Sequence, residues 1–361
     1  MAGLGFTLFH RFEDVERAFS EPPAVSYYAV VERMRQAVLQ RRSGLAEHPD
    51  VVTYANACYW AIRKLEYSFA ARSVARLGNE GPLRILDIGC GVVPFCNWLA
   101  LIGHQVVAVD PSSDVIDLLR DENANGFYGS TVEYQVAHAE DLPFADAQFD
   151  LISCISVLEH TPPGNDRLAL RQMGRVLKPG GALIISFDVA PPLPTLSGEQ
   201  PWPADRRRFA QPFSPGVVQR LFRAISGTFE VDDNALAPEL LDLDWDSVHA
   251  FWRAAREHDV RNDALRDYVA MGGVLRRRAS VPPIDVTEIT AAYREGQAAL
   301  EERVGFFQLH AQQRLELVQR LHREAQLLRA QLDERERSVA ELQAAADERL
   351  RLIQALEAAR A

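Results

Sequence analysis

Two glycines and two acids in this sequence have the residue types and the spacing of a nucleoside-binding site. Asp87, Gly89 and Gly91 lie in the segment RILDIGCG, and Asp110 follows nineteen residues after Gly91, at the end of another apolar run. Glycine adopts backbone conformations that other residues avoid and lets a ligand approach the main chain closely. A carboxylate at the second position can accept hydrogen bonds from both ribose hydroxyls. The pattern therefore predicts a site for an adenine nucleoside.

Other interpretations of the same turn remain open. The dinucleotide fingerprint needs Gly or Ala at its third position, where this chain has Pro94, and this disfavours NAD. The turn also lacks the Gly-Lys-Ser/Thr ending of a phosphate-binding loop. Without any ligand, Asp87 would be a turn or capping acid, and Asp110 would only end a strand.

The elements that must position these residues alternate between strand and helix. Helix-like segments of roughly 10–15 residues separate several of the strand-like runs, which is typical of parallel strands joined by crossovers. We predict an α/β fold with a doubly wound, mostly parallel sheet that binds its ligand at the carboxyl ends of the strands. The strand-like runs are RILDI (84–88), QVVAVD (105–110), VEYQVA (132–137), FDLISCI (149–155) and ALIISF (182–187).

Five blocks, taken in this order, resemble the class I (Rossmann-like) methyltransferases, in particular their small-molecule type 11 group. The blocks are LDIGCG (86–91), VVAVDPS (106–112), AHAEDLPF (137–144), FDLISCISVLEH (149–160) and RVLKPGGALIIS (175–186). The resemblance implies a seven-stranded sheet, and S-adenosylmethionine as the cofactor. It is close over residues 83–188 and loose over 60–82 and 190–280.

The resemblance also implies a role for each matching residue. Two positions depart from the family pattern: Val93 stands where a third glycine is frequent, and His138 stands where an Asp commonly bonds the adenine amino group. The contact of His138 with adenine is therefore left open. The implied roles place Asp87, Gly89, Cys90 and Gly91 at the methionine half of the cofactor, Asp110 at the ribose hydroxyls, Pro111 and Ser112 beside the adenine, Ala139 and Glu140 at the adenine edge, and Ser156 or its neighbours beneath the sulfonium.

The chemistry implied by the resemblance is an in-line displacement at the methyl carbon of a sulfonium. An oxygen acceptor usually also needs a base, and a histidine has a suitable pKa. His160, which ends the block FDLISCISVLEH, is the predicted catalytic base, with a purely structural histidine as the alternative. No cluster of acids with metal-ligand spacing accompanies it, so we predict no metal.

Three regions are predicted along the chain. Residues 1–80 form an N-terminal helical region, in which Tyr54 to Leu77 are expected to form a helix that packs on the sheet. Residues 81–280 form the methyltransferase domain, with 190–280 as an insertion or cap on the substrate side. Residues 284–361 lack proline and repeat apolar residues in a 4-3 alternation, which predicts a long helical coiled coil. This tail would join copies of the chain into a homo-oligomer, or fold back on the N-terminal helices.

Composition limits the partners and the compartment. The net charge of −11 argues against non-specific binding to nucleic acid, which needs a basic surface. Four cysteines without paired spacing, no signal-like start and no apolar run of membrane-spanning length predict a cytoplasmic protein without a membrane span.

The function predicted is methylation of an oxygen on a small molecule or glycan. Arg206-Arg207-Arg208 would bind an anionic group of this acceptor or form a solvated cluster. Trp245, His249 and Trp252 would line a pocket or pack within a helix. The alternative function is a coiled-coil scaffold that carries a non-catalytic methyltransferase-like domain.

Overall fold

The computed structural model describes most of the chain up to residue 280. The described residues are 6–11, 13–40, 44–78, 81–161, 165–191, 212–230, 243–258 and 268–280. The predicted coiled coil of residues 284–361 and the cluster Arg206-Arg207-Arg208 lie outside them and stay predictions.

The described residues alternate between helix and strand after an N-terminal helical region. The strands are β1 (Phe6–Phe9), β2 (Arg84–Ile88), β3 (Gln105–Asp110), β4 (Val132–Val136), β5 (Phe149–Ile155), β6 (Leu177–Val189), β7 (Phe229–Glu230) and β8 (Val269–Arg277). The helices are α1 (Glu13–Phe19), α2 (Pro22–Gln40), α3 (Gly44–Glu47), α4 (Pro49–Ala57), α5 (Ala61–Leu77), α6 (Phe95–Leu101), α7 (Ser113–Asp121), α8 (Ala124–Tyr128), α9 (Asn165–Val176), α10 (Pro215–Ile225) and α11 (Trp245–His258). None of these helices combines the length and the apolar character needed to cross a membrane.

The strands form one mixed sheet in the order β1-β8-β6-β5-β2-β3-β4, and β7 also pairs with β8. The five strands from β6 to β4 are parallel, and β8 is antiparallel to β6. The chain adds β3 and β4 on one side of β2 and then β5 and β6 on the other. This reversal makes the boundary between β2 and β5 the point where a doubly wound sheet opens a crevice at its carboxyl edge.

The central strands are mostly apolar and buried, as expected for parallel strands covered on both faces. Ile85, Leu86 and Ile88 of β2 and Val107 and Val109 of β3 are all buried. Burial of each such side chain contributes about 1.5–3 kcal/mol relative to its exposure. The predicted α/β class and the mostly parallel centre are confirmed by this arrangement.

The number of strands differs from the seven that the resemblance implied: the described residues form eight. The additional strand β1 comes from the N-terminal region, which was predicted to be helical, and it pairs antiparallel with β8 along Phe6–Phe9. Gly272 and Gly273 of β8 make this pairing possible, because a Cβ on either would lie within 3 Å of a Phe9 or Phe6 ring atom. The two glycines thus leave room for the phenyl rings that cover this end of the sheet.

The predicted single helix from Tyr54 to Leu77 is also wrong in one respect. The helix is interrupted at residues 58–60, between α4 and α5, where the backbone of Trp60 is extended with φ −63° and ψ 145°. The expected packing of this region on the sheet is confirmed, because α5 contacts β5, β6 and β8.

Candidate cofactor and methyl-transfer site

Two turns meet at the boundary between β2 and β5. Ile88 pairs with Cys154, so the segments after these strands leave the sheet side by side. Gly89 has φ +68°, and a Cβ placed on it would lie 2.5 Å from Cγ2 of Val157. The glycine turn and the Ser156–Glu159 segment are therefore in direct contact, and only a residue without a side chain fits at Gly89.

The glycine turn also holds the carboxylate of Asp110. The backbone N–H groups of Gly89 and Cys90 donate to the Val109 carbonyl oxygen at 2.8 and 3.0 Å, which ties the turn to the end of β3. The N–H of Gly91 donates to Asp110 Oδ2 at 3.0 Å, and the N–H of Ser112 donates to Asp110 Oδ1 at 3.0 Å.

This geometry suits a ribose. An ionised carboxylate has about four acceptor positions, and two backbone donors use only one on each oxygen. Asp110 is only half-buried, so the remaining positions are available to two neighbouring hydroxyl groups. The residues present thus fit the adenosyl part of S-adenosylmethionine.

Asp87 lies beneath the same turn and is 5% exposed. The hydroxyl of Ser153 donates to its Oδ1 at 2.5 Å. Burial raises the pKa of Asp87 to about 7, the Ser153 hydrogen bond opposes this rise, and the charge of Asp110 adds to it. A carboxyl group that ionises near neutral pH responds strongly to a positive charge placed beside it.

The residues predicted at the adenine lie around the ends of β3 and β4. Ser112 caps α7, with its hydroxyl oxygen accepting from the N–H of Val115, and the neighbouring Pro111 is exposed. Ala139 is buried, while Glu140 is half-buried and accepts a hydrogen bond from Asn165 Nδ2 at 2.9 Å.

His138, the residue that departs from the family pattern, is largely exposed. Its side chain is 62% exposed, and Nδ1 lies 3.9 Å from Glu140 Oε1. A contact between His138 and adenine stays a prediction.

The turn after β5 carries the residue predicted beneath the sulfonium. Ser156 has φ +57°, a left-handed conformation that is uncommon for a residue other than glycine. Its hydroxyl donates to Glu159 Oε1 at 2.7 Å, and its N–H donates to the Ser186 carbonyl oxygen at 2.9 Å. His160 follows as the last residue of a short 3₁₀ turn, Leu158–His160, and is exposed. Its role as a base stays a prediction.

A buried polar network behind this turn was missed from the sequence. Glu66 on α5 is fully buried and accepts hydrogen bonds from Arg63 Nη1 at 2.7 Å and from Ser186 Oγ at 2.8 Å. Asp188 on β6 is also buried, and its N–H donates to Glu159 Oε1 at 3.3 Å. The one available signal was the presence of acids inside otherwise apolar runs, such as SFDV at the end of β6.

The aromatic residues considered for an acceptor pocket lie on α11. Trp252 is buried and donates from Nε1 to the Tyr268 carbonyl oxygen at 2.6 Å, which favours the packing interpretation for this residue. The rings of Trp245 and His249 are 6.0 Å apart. Within the described residues, no three His, Cys, Asp or Glu side chains are grouped so that they could hold a metal ion.

Comparison with known proteins shows what the centre of the described chain is similar to. Residues 86–185 match the family described as "Methyltransferase domain". The match spans the glycine turn, Asp110, Ser156 and Glu159. This segment is thus similar to a methyltransferase domain, and the similarity supports S-adenosylmethionine as the cofactor.

Two curated relatives each match about a third of the chain. The ubiquinone biosynthesis O-methyltransferase of Xanthomonas axonopodis pv. citri (strain 306) is 35% identical over 113 residues, which cover 31% of this chain and 45% of that protein. The O-methyltransferase resE of Aspergillus sclerotiorum is 39% identical over 118 residues, which cover 31% and 42%. The chain thus spans less than half the length of these relatives.

Among solved structures, this chain is similar to the PH0226 protein from Pyrococcus horikoshii OT3. The match covers 61% of this chain and 95% of that protein, at 22% identity and a TM-score of 0.39. The strand order described above defines the fold.

Proposed function

We propose that this protein transfers a methyl group from S-adenosylmethionine to an oxygen of a small molecule or glycan by in-line displacement. The observation that carries the proposal is the carboxylate of Asp110, which two backbone N–H groups hold at the mouth of the glycine turn. The roles implied for the remaining cofactor residues are part of the same proposal; these residues are Asp87, Gly89, Cys90, Gly91, Pro111, Ser112, Ala139, Glu140 and Ser156.

The position of the acceptor follows from the two touching turns. Because S-adenosylmethionine supplies its methyl group from an already activated sulfonium, the protein's main task is to align the acceptor atom behind the methyl carbon. Such alignment can contribute up to about 7–11 kcal/mol. The Ser156–Glu159 segment contacts Gly89, so an acceptor resting on it would adjoin the methionine half of the cofactor.

Oxygen is proposed as the accepting atom because both curated relatives carry O-methyltransferase in their names. Because the matches cover only 31% of this chain and less than half of each relative, the substrates of these relatives are not transferred to it. A quinol, a sugar nucleotide and a lipid-linked glycan represent the acceptor classes that fit the proposal.

An activity screen over these three classes tests the proposal. Transfer of labelled methyl from S-adenosylmethionine to at least one acceptor, with an O-methyl product by mass spectrometry, is the expected result. The Asp110→Ala variant is the control for background transfer. Cofactor binding without transfer to any acceptor would favour the scaffold protein instead.

The ionisation of Asp87 gives the proposal a pH signature. The ammonium group of the bound methionine half would favour the charged form of Asp87. At pH values where Asp87 of the free protein is still protonated, cofactor binding should therefore release that proton. Because the pKa of Asp87 is raised to about 7, affinity for S-adenosylmethionine should increase with pH below that value and level off above it. The increase should approach about tenfold per pH unit at most. Calorimetry in buffers of different ionisation enthalpy counts the released protons.

Two variants make this test specific. Asp87→Asn should abolish the proton release, whereas Asp146→Asn, which removes an acid whose side chain is 75% exposed, should preserve it. Binding by wild-type protein with no proton release around neutral pH would contradict the placement of Asp87 at the ammonium.

A cytoplasmic location and a homo-oligomer held by residues 284–361 complete the proposal, and both rest on the sequence pattern. Deletion of residues 284–361 should lower the number of subunits per particle, obtained by light scattering as the measured mass divided by the mass of one chain. An unchanged number of subunits would contradict oligomerisation through this tail.

A further inference from the structure

Ser156 and Glu159 form a hydroxyl–carboxylate pair that could accept a proton, and binding of the proposed cofactor does not require this pair. Ser156 Oγ donates to Glu159 Oε1 at 2.7 Å, in the turn at the carboxyl end of β5. Glu159 is only 1% exposed, and its other oxygen, Oε2, is buried without a hydrogen-bond partner among the described residues. A buried carboxylate is costly, and an unpaired oxygen adds to the cost.

Glu66, the other buried glutamate of this network, differs from Glu159 in its hydrogen bonds. Both oxygens of Glu66 accept hydrogen bonds, one from Arg63 and one from Ser186. At Glu159, the two observed donors, Ser156 Oγ and the N–H of Asp188, both reach Oε1. A glutamine could accept the same two hydrogen bonds without burying a charge. These two contacts by themselves therefore do not require a carboxylate at this position.

The groups that face Glu159 determine its affinity for a proton. Arg63 on α5 favours the charged form of Glu159. Glu66 lies on the same helix as Arg63, and the negative charges of Glu66 and Glu159 repel each other. Asp188 on β6 presents its N–H, and Cys154 lies nearby on β5 with a thiol whose pKa burial raises far above its ordinary value. Burial is the largest influence on Glu159 and raises its pKa, with the hydrogen bond from Ser156 opposing the rise. A base is most effective when its pKa approaches the working pH.

We propose that the Ser156–Glu159 pair is the proton acceptor for methyl transfer to a hydroxyl group. The inference rests on the proposed function. The acceptor hydroxyl passes its proton to Ser156 Oγ while Ser156 passes its own proton to the carboxylate of Glu159. The acceptor oxygen forms its bond to the methyl carbon as the bond from that carbon to sulfur breaks, and the sulfur keeps the electron pair. Glu159 later releases the proton to water.

The exposed neighbour His160 is the competing base. It stands next to Glu159 in the chain, at the end of the 3₁₀ turn. Glu159 differs from it in being buried and in holding a direct hydrogen bond to the residue predicted beneath the sulfonium. Variants of Glu159 and His160 show which of the two residues accepts the proton.

The main test is the pH dependence of kcat in Glu159→Gln. This variant keeps an oxygen that can accept from Ser156 and Asp188 but cannot take up a proton. We expect kcat to fall by about 100-fold or more, with unchanged affinity for S-adenosylmethionine. In wild type, kcat should rise with pH through the ionisation of Glu159, and this rise should be lost in the variant. His160→Gln should keep the rise; its loss there would overturn the proposal in favour of His160.

Ser156→Ala protects the test against a folding defect in Glu159→Gln. Alanine has the same backbone cost at φ +57° and removes only the hydroxyl that carries the proton. We expect a similar fall in kcat, although Glu159 remains. If both variants retain kcat within about threefold of wild type while wild type methylates its acceptor, the proton path is refuted and the proposed function stands.

A second measurement does not depend on turnover. Carbon-13 NMR of labelled glutamate side chains, with Glu159→Gln to assign the signal, gives the pKa of Glu159 directly. We expect a value above that of exposed glutamates, and a further rise in Ser156→Ala because the hydrogen bond to the charged form is lost. A Glu159 signal that titrates like an exposed glutamate and ignores Ser156→Ala would refute the pairing, whatever the screen of acceptors finds.

Discussion

Replacement of Asp110 by alanine is expected to weaken binding of S-adenosylmethionine by at least about 100-fold, a loss of about 2.7 kcal/mol. Hydrogen bonds to a charged group contribute about 1.5–3 kcal/mol each, and two ribose hydroxyls would lose such a partner. The N–H groups of Gly91 and Ser112 would also lose their acceptor, which loosens the turn. Equilibrium dialysis with labelled S-adenosylmethionine measures the loss.

Two further variants show whether the effect belongs to this carboxylate. Asp110→Asn keeps one acceptor oxygen and loses the charge, so its affinity should lie between those of wild type and alanine. Asp114→Ala removes an exposed acid from the first turn of α7, four residues further along, and should bind as wild type does. Binding by Asp110→Ala within about threefold of wild type would disprove the ribose assignment.

Replacement of Gly89 by alanine should both destabilise the protein and abolish cofactor binding. The new Cβ would lie 2.5 Å from Val157 Cγ2, and φ +68° is unfavourable for alanine. The backbone conformation costs about 1–2 kcal/mol, and overpacking a tight contact costs about 1–3 kcal/mol more. The free energy of unfolding, from urea denaturation, should therefore fall by about 2–5 kcal/mol.

Gly129→Ala is the matched control for the backbone cost alone. Gly129 has φ +75°, and a Cβ there would meet no atom within 4 Å. The free energy of unfolding of Gly129→Ala should fall only by the backbone cost of about 1–2 kcal/mol. This variant should keep the wild-type affinity for S-adenosylmethionine. Adding Val157→Ala to Gly89→Ala should restore part of the stability by relieving the contact. If Gly89→Ala is no more destabilising than Gly129→Ala, the proposed contact between the two turns does not exist.

The central strands and the glycine turn could be predicted from the sequence because they are specified locally. Runs such as QVVAVD are apolar and β-branched over a strand's length, and a parallel strand buried on both faces needs little more. The spacing between Gly91 and Asp110 equally reflects one crossover between neighbouring strands. Their carboxyl ends must then lie together at one edge of the sheet.

The remaining features depend on contacts between distant segments. The strand Phe6–Phe9 is too short to be recognised alone and forms because Gly272 and Gly273 leave space for its phenyl rings. The same is true of the polar network: Glu66 lies 120 positions from its partner Ser186. Within α5, Glu66 has the spacing of an ordinary surface pair with Arg63, and only the tertiary fold buries it.

The predictions that concern the acceptor fall largely on segments outside the described residues, at 192–211, 231–242 and 259–267. The candidate site therefore consists of the cofactor half together with the Ser156–Glu159 turn. In the proposed enzyme, methyl transfer to any acceptor would use these two parts of the site. Variants at Asp110, Gly89 and Glu159 can thus be compared before the natural acceptor is known.

Calorimetric titration of the full chain with S-adenosylmethionine tests the central claim, that the glycine turn and Asp110 form an adenosyl site. Saturable binding at one site per chain is expected, with no heat from NAD and no saturation of the Asp110→Ala variant over the concentrations that saturate wild type. A folded wild-type protein that gave no heat with S-adenosylmethionine, or that bound NAD instead, would contradict the claim.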